Sequence, residues 1–446
     1  ASTVISDQMT PNDEAGEENF EVSSHGNELL NDASVFNPLP PDNEVFDILT
    51  TVDPSYIISS IRKLIPTLHD TNLRTPYTNE GQLTNVLQVW EEHGCVLWDL
   101  AANKTHAELM VENYISDVLL ANLMTSSSSR VTEICLGIIG NLACHDAPMQ
   151  HLSSNGELIE SIIEQIFSDD SQCLIEVFRV LASALRSETK CIIWGKAIRS
   201  ENTLSRILWI VQNTLNTTVL EKGVEVVLTI LESESDDSNL VTSLVSLGLP
   251  VTLIDLFADE MKHLTSHRLP ERYTAVDVIL RAIEALSALN GLNSSTKLFE
   301  LLVVLIKLPD KLAIGSICMS GCIIMANMVS DDVAKVSQDM GLLEGLMDVL
   351  AIELCDCETR VAVWTIMGNV LLQLKEDEQS QSLLQCYVSL FCNKCDPIED
   401  DLLSHHHSHS LLQARVVALR KIVGIVKYWL AFEGRDDTVN VDRLLD

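Results

Sequence analysis

From Val45 onward, apolar residues recur every three to four positions in stretch after stretch, with short polar breaks between them. No alternating run of useful length suggests a strand. Six of the stretches resemble one another: RVTEICLGIIGNLACH (130–145), QCLIEVFRVLASALRS (172–187), TVLEKGVEVVLTILES (218–233), VDVILRAIEALSALNG (276–291), SICMSGCIIMANMVSD (316–331) and TRVAVWTIMGNVLLQL (359–374). Aligned on Asn141, the equivalent positions are Ala184, Ile230, Ala288, Asn327 and Asn369, giving steps of 43, 46, 58, 39 and 42 residues. The long step holds the polar insertion KHLTSHRLPERY, Lys262 to Tyr273. A shorter amphipathic stretch precedes each apolar one, as in ELIESIIEQIF (157–167) and LLEGLMDVLAIEL (342–354).

A unit of about 40 residues with two or three helices cannot bury its own apolar face and must stack on its neighbours. The pattern therefore predicts an all-α protein, an armadillo/HEAT-like right-handed superhelical solenoid. Its expected repeats are 86–145, 146–187, 188–233, 234–291, 292–331, 332–374 and 375–432, within a repeat domain over 49–435. Residues 1–48 hold eleven Asp and Glu and no Lys or Arg, a composition that predicts a disordered acidic tail. A second short tail is expected over 436–446. A helix packed between two repeats is apolar around most of its circumference, which accounts for EICLGIIGNLACH. Gly140 there implies close approach of a neighbour, and Asn141 implies a partner, either a ligand in the groove or another repeat.

The full chain has 29 Lys and Arg against 64 Asp and Glu, a net charge of −35. Such a field repels phosphate backbones, so direct nucleic-acid binding is not expected, and it attracts basic protein segments. Glu133, Glu176, Glu225 and Glu284 lie one or two turns before the Asn141-equivalent positions. With Asn141, Asn327 and Asn369 they form the candidate protein-binding groove. The acidic pairs Asp169-Asp170, Asp236-Asp237, Asp331-Asp332 and Asp400-Asp401 fall in breaks, where they suit helix caps and solvated turns. Thr218 to Glu221, TVLE, fits a capping box.

Twelve cysteines in 446 residues are not a disulfide framework. Cys135, Cys144, Cys173, Cys191, Cys318 and Cys322 fall in helical patterns and are expected to pack as small hydrophobes. Cys386 and Cys392 likewise read as core positions of a helix. Cys386, Cys392 and Cys395 with His405, His406, His407 and His409 have zinc-ligand chemistry but poor spacing, so neither metal nor cofactor is expected. Cys144 and His145 are adjacent, but neighbours on a helix point about 100° apart. They are expected to be a buried thiol beside a surface imidazole. No nucleophile elbow, phosphate-cradling loop or kinase-like set is present, and no enzymatic activity is expected. The terminus ASTVISDQMT lacks a secretory pattern, and the sequons at Asn103, Asn216 and Asn293 are read as incidental. Leu312 to Ser330 is uncharged but interrupted by Ser316, Ser320 and Asn327, so it is expected to be a core helix and not a membrane span.

The stretch WEEHGCVLWDLAANKTHAELMVENYISDVLLANLMTSSSSRVTEICLGIIGNLACH (90–145) resembles the SAAL family, the serum amyloid A-like proteins or synoviocyte proliferation regulators. Leu97-Trp98-Asp99 and Glu133 to Cys144 carry the resemblance. It implies an armadillo-like fold, a mainly nuclear location, promotion of cell proliferation and no catalysis. Peptide-binding armadillo proteins commonly place a tryptophan one turn before the groove asparagine. Here the residues four before are Gly137, Ile323 and Thr365, and Trp364 lies five before Asn369. The expected function is a nuclear scaffold binding basic protein segments on an acidic inner surface, with no membrane contact and no defined oligomeric state. The alternative is a regulatory subunit docking through convex helices or the 259–275 insertion, and an import-type adaptor is a weaker third reading.

Overall fold

The computed structural model describes residues 52–66, 80–187, 189–233, 239–266, 270–289, 295–328, 339–374, 381–404 and 408–433. The tails expected over 1–48 and 436–446 lie outside the described residues. So do Asp236-Asp237, Asp331-Asp332 and Asn293.

The described residues form α-helices and short 3-10 turns, with no strand among them. α1 (Pro54–Lys63) and α2 (Glu80–Leu100) come first. The first three-helix unit is α3 (Lys104–Glu112), α4 (Ile115–Thr125) and α5 (Ser129–Leu142). The second is α6 (Asp146–Ser153), α7 (Gly156–Glu164) and α8 (Ser171–Arg186). The third is α9 (Cys191–Ile198), α10 (Glu201–Asn213) and α11 (Thr217–Glu232). The fourth is α12 (Leu240–Ser246), α13 (Leu249–Ser266) and α14 (Tyr273–Ala288). Two units with two described helices follow, α15 (Thr296–Lys307) with α16 (Gly315–Asn327) and α17 (Met340–Leu350) with α18 (Cys357–Leu372). The last unit is α19 (Gln381–Asn393), α20 (Cys395–Leu403) and α21 (His409–Glu433).

The closing helix of each unit packs on the closing helix of the next, so that α2, α5, α8, α11, α14, α16, α18 and α21 form one continuous ladder. A second row runs beside it through α10, α13, α15 and α17. The architecture is that of an armadillo/HEAT-like helical-repeat solenoid, as the sequence period predicts. Burial explains the two kinds of helix. In α5, Val131, Thr132, Ile134 to Gly140 and Leu142 are buried, because neighbours cover nearly every side. In α7 a single stripe of Leu158, Ile159, Ile162 and Ile163 is buried.

Helix starts are capped by Asp53, Asn103, Ser128, Asn155, Asp170, Ser200, Asn216, Ser295, Asp339 and Asp356, whose side-chain oxygens accept from first-turn amides. Asn103 and Asn216 are thereby occupied as caps. Two expectations need correction. The start of α11 is capped by Asn216, which accepts from Thr218 N at 3.0 Å and Val219 N at 3.2 Å, so Thr218 lies inside the first turn and is not the cap. Asp401 is not a solvated turn residue, because α20 continues to Leu403 and turns Asp401 into the core at 1% exposure.

Three cysteine assignments also change. Cys144 lies just beyond the end of α5 and is exposed. Its thiol donates to Gly140 O at 3.3 Å, while the half-buried His145 ring meets Ala101 O at 3.1 Å, the reverse of the expected burial. Cys386 is exposed and Cys392 only half-buried, because the buried stripe of α19 is Leu384, Tyr387, Val388 and Phe391.

α16 is thirteen residues long and its Ile317, Cys318, Cys322 and Ile324 are buried in the ladder. No single described helix is long and apolar enough to cross a membrane. α12 and α13 satisfy that test only as a pair bent by 68°, and Leu240, Leu244, Leu249, Leu253 and Phe257 of that pair are core residues. The insertion folds back on α13: Arg272 Nε donates to Glu260 Oε2 at 2.8 Å, and Glu260 is 3% exposed.

Candidate protein-binding site

The ladder positions aligned with Asn141 divide into two sets. In the N-terminal part the protein supplies its own partners. Asn141 Nδ2 donates to Trp98 O at 2.7 Å, and Asn141 Oδ1 accepts from Arg179 Nη1 at 2.6 Å. Arg179 Nη2 also reaches Gly137 O at 3.0 Å and Glu176 Oε2 at 2.5 Å. One asparagine thus joins α2, α5 and α8. The glycines of EICLGIIGNLACH make room for this clasp. A Cβ on Gly137 would stand 2.2 Å from the Trp98 indole, and one on Gly140 would stand 2.6 Å from the Arg179 guanidinium. Leu97 is fully buried next to Trp98, so the residues that resemble the SAAL family build this clasp.

The other N-terminal carboxylates are also paired within the chain. Glu133 accepts from Arg130 at 2.8 Å. Glu225 takes Lys222 at 2.9 Å and Arg186 at 3.1 Å. Its burial pushes the carboxyl up, but the two cations prevail and hold it below the usual carboxylate range. Replacing Asn141 by alanine is expected to cost about 1–2 kcal/mol, since Trp98 O and the half-buried Arg179 each lose a partner. Denaturant unfolding would register this as a lowered midpoint.

The second set is different. Glu284 and Asn327 line a cleft of about 430 Å³ that runs along α14 and α16 and is closed by the start of α18. Around it stand the carboxylates Glu232, Asp277, Glu284, Asp356 and Glu358, with Arg281 as the single cation among the described residues. Arg281 reaches Glu232 at 3.4 Å, where both are exposed. Ala285, Ala288, Met319 and Ile323 give the cleft an apolar wall. Burial pushes the Glu284 carboxyl above its ordinary value, and the charges of Glu358 and Asp356 act the same way. A hydrogen bond with Ser320 and the charge of Arg281 offset part of this. Thr359 lines the same end and is fully buried, and its Oγ1 has no hydrogen-bond partner among the described residues.

Of the seven candidate residues, the structure brings Glu284 and Asn327 together in this cleft. Asn327 Nδ2 donates to Ser287 Oγ at 3.2 Å. Glu133, Asn141, Glu176 and Glu225 lie farther back along the ladder, and Asn369 is exposed on α18. The cleft residues Asp356 and Glu358 escaped sequence reasoning because they stand at the start of α18, where an acidic residue reads as a cap, and Asp277 because it lies outside the aligned register positions. Asp356 is indeed a cap, accepting from Thr359 N at 2.7 Å.

Trp364, the tryptophan nearest a ladder asparagine in sequence, is fully buried and donates from Nε1 to Asp401 at 2.8 Å. The indole beside Asn141 comes instead from the neighbouring helix, as Trp98. Among the described residues no group of three His, Cys, Asp or Glu side chains is placed to hold a metal ion. His405, His406 and His407 lie outside the described residues.

No protein-family model matches the chain. Protein saal1 of Danio rerio is 28% identical over 268 residues, covering 56% of this chain and 55% of that protein. Protein SAAL1 of Homo sapiens is 26% identical over 179 residues, covering 40% of this chain and 38% of that protein. The chain thus matches about half the length, or less, of these curated relatives. Among solved structures, the designed armadillo repeat protein YIII(Dq)4CqI aligns with a TM-score of 0.44 and 12% identity, over 61% of this chain and 99% of its own. The designed armadillo repeat protein YIII(Dq.V1)4CPAF, in complex with peptide (KR)4, aligns with a TM-score of 0.40 and 13% identity, over 65% and 98%. The chain is similar in sequence to SAAL1 proteins, and its helical repeats are armadillo-like.

Proposed function

We infer that this chain is a non-enzymatic helical-repeat scaffold that binds a basic segment of another protein in the cleft between α14, α16 and α18. The observation that carries the reading is the imbalance of five carboxylates and one arginine around that cleft, where the N-terminal ladder carboxylates are paired with the chain's own cations. The burial-raised Glu284 carboxyl is better satisfied when a cationic donor arrives. A nuclear location and a part in promoting cell proliferation belong to the reading through the similarity to the SAAL family alone. A fluorescent fusion excluded from the nucleus would remove the former.

The test is fluorescence anisotropy with a lysine-rich peptide and the full chain. Glu284→Gln with Glu358→Gln is expected to weaken binding about tenfold or more, and raising salt weakens it further. Equal affinity in the variant and the wild type would refute the reading. Charge reversal at Glu176 is a poor probe, because it sets a lysine against Arg179 and breaks the clasp.

The sign of the pH dependence follows from Glu284. Its folded pKa lies above the unfolded value, so in the unbound chain its contribution to stability is greatest when it is protonated and falls as pH rises. A bound cation favours the charged form and displaces that proton. Affinity is therefore expected to rise as pH climbs from the ordinary glutamate range toward neutrality. Glu284→Gln should flatten the profile.

A further inference from the structure

Just before several of the ladder helices, in the junction or at the end of the preceding helix, large apolar side chains are exposed. Leu215 before α11 is 99% exposed, Leu312 before α16 is 95%, Leu354 before α18 is 83% and Leu403 before α21 is 72%. Met124 before α5, at 68%, and Phe167 before α8, at 44%, continue the series. Exposed leucines scattered singly need no explanation. Leu312 and Leu354 each stand three residues before a ladder helix and Leu403 ends α20, and since α16, α18 and α21 pack on one another in turn, the packing distance of about 8–10 Å sets the scale of their spacing.

The C-terminal three have a further property in common. Leu312 is flanked by the exposed Asp310, Leu354 by Glu353 and Asp356, and Leu403 by Asp400. The one cation among the described residues of these junctions, Lys311, spends its ammonium on the carbonyls of Ile306 and Leu308, the latter at 2.6 Å. Asp310 holds a positive φ of 67° in the turn that presents Leu312. The edge also adjoins the acidic cleft, since Leu354 stands two residues before Asp356 and Leu312 four before Ser316, both cleft residues.

We propose that Leu312, Leu354 and Leu403 form a docking edge for a cationic amphipathic helix of a partner protein, continuous with the acidic cleft. This rests on the cleft reading and specifies its partner. A second copy of this chain would bring more carboxylates against Asp310, Glu353 and Asp400, and an anionic lipid surface is repelled in the same way. A helix satisfies its own backbone and asks only for side-chain contacts. At 1.5 Å per residue, seven residues span about 10.5 Å, so apolar residues at every seventh position meet the three leucines in turn. Lysines or arginines between them face the carboxylates.

The test uses the full chain and two fluorescent helical peptides of equal lysine content, one with leucine at every seventh position and one with glutamine there. Each leucine newly covered is worth about a tenfold gain in affinity, so the leucine peptide is expected to bind at least tenfold more tightly. The variant Leu312→Ser/Leu354→Ser/Leu403→Ser, altered only at exposed positions, is expected to bind the two peptides equally while keeping the glutamine peptide's affinity. An undiminished leucine advantage in that variant overturns the proposal. So does sedimentation showing that the wild type self-associates and the variant does not. If both peptides bind but ignore Glu284→Gln/Glu358→Gln, the cleft reading has failed and not the edge.

Discussion

Asp401→Ala is expected to destabilise the C-terminal unit by about 3–5 kcal/mol, the loss found when one member of a buried ionic cluster is removed. Asp401 is 1% exposed and accepts from Arg360 Nη1, from Trp364 Nε1 at 2.8 Å and from Arg415 Nε at 2.9 Å. Its own carbonyl takes Arg415 Nη2 at 2.6 Å. Truncation leaves the guanidinium groups of two buried arginines without the charge that balances them. These contacts tie α18, α20 and α21 together, so hydrogen exchange should show the loss at the C-terminal end of the ladder, with α5 and α8 little changed. Asp400→Ala, one residue away and exposed, is expected to stay within about 0.5 kcal/mol. Replacing the cluster together, as Arg360→Met, Asp401→Leu and Arg415→Met, should recover much of the loss, since well-packed apolar residues can substitute for a buried ion cluster. If Asp401→Ala and Asp400→Ala unfold alike, the cluster is not what closes this end.

Asp400 and Asp401 also show where sequence reading stops. The ladder was legible because period and apolarity are properties of a segment, and each of the six aligned stretches needed neighbours on nearly every side. Which member of an acidic pair turns inward depends on helix phase and on arginines 41 and 14 residues away, which no local pattern reveals. The candidate site divides on the same ground. Register placed Glu176 and Glu284 at comparable points on the ladder, yet Arg179 one turn on closes the first, while the second faces Asp356 and Glu358 from a later repeat. An asparagine at position 141 of so apolar a helix implies a partner, and it has two, but both come from helices about 40 residues distant in sequence. The edge leucines had no signal at all, because an exposed leucine and a buried one look alike until the fold covers one and not the other.

This difference in legibility gives the second large effect, at two glycines that the sequence presents in the same way. Gly345 in α17 and Gly424 in α21 both interrupt helices, and each gives up about 1 kcal/mol of helix propensity relative to alanine. At Gly345 a Cβ would stand 2.2 Å from the carbonyl oxygen of Ile306, which is backbone and cannot swing aside, so α15 and α17 would have to separate. At Gly424 a Cβ meets nothing within 4 Å. Gly424→Ala is therefore expected to stabilise by up to about 1 kcal/mol. Gly345→Ala is expected to destabilise by about 3 kcal/mol, the upper part of the usual range for overpacking, because the clash outweighs the gain in propensity. Denaturant unfolding of the two single variants decides the matter through the sign of the shift. Stabilisation by both would mean that α15 and α17 do not lie at backbone contact, and the close stacking of the second row would have to be abandoned there.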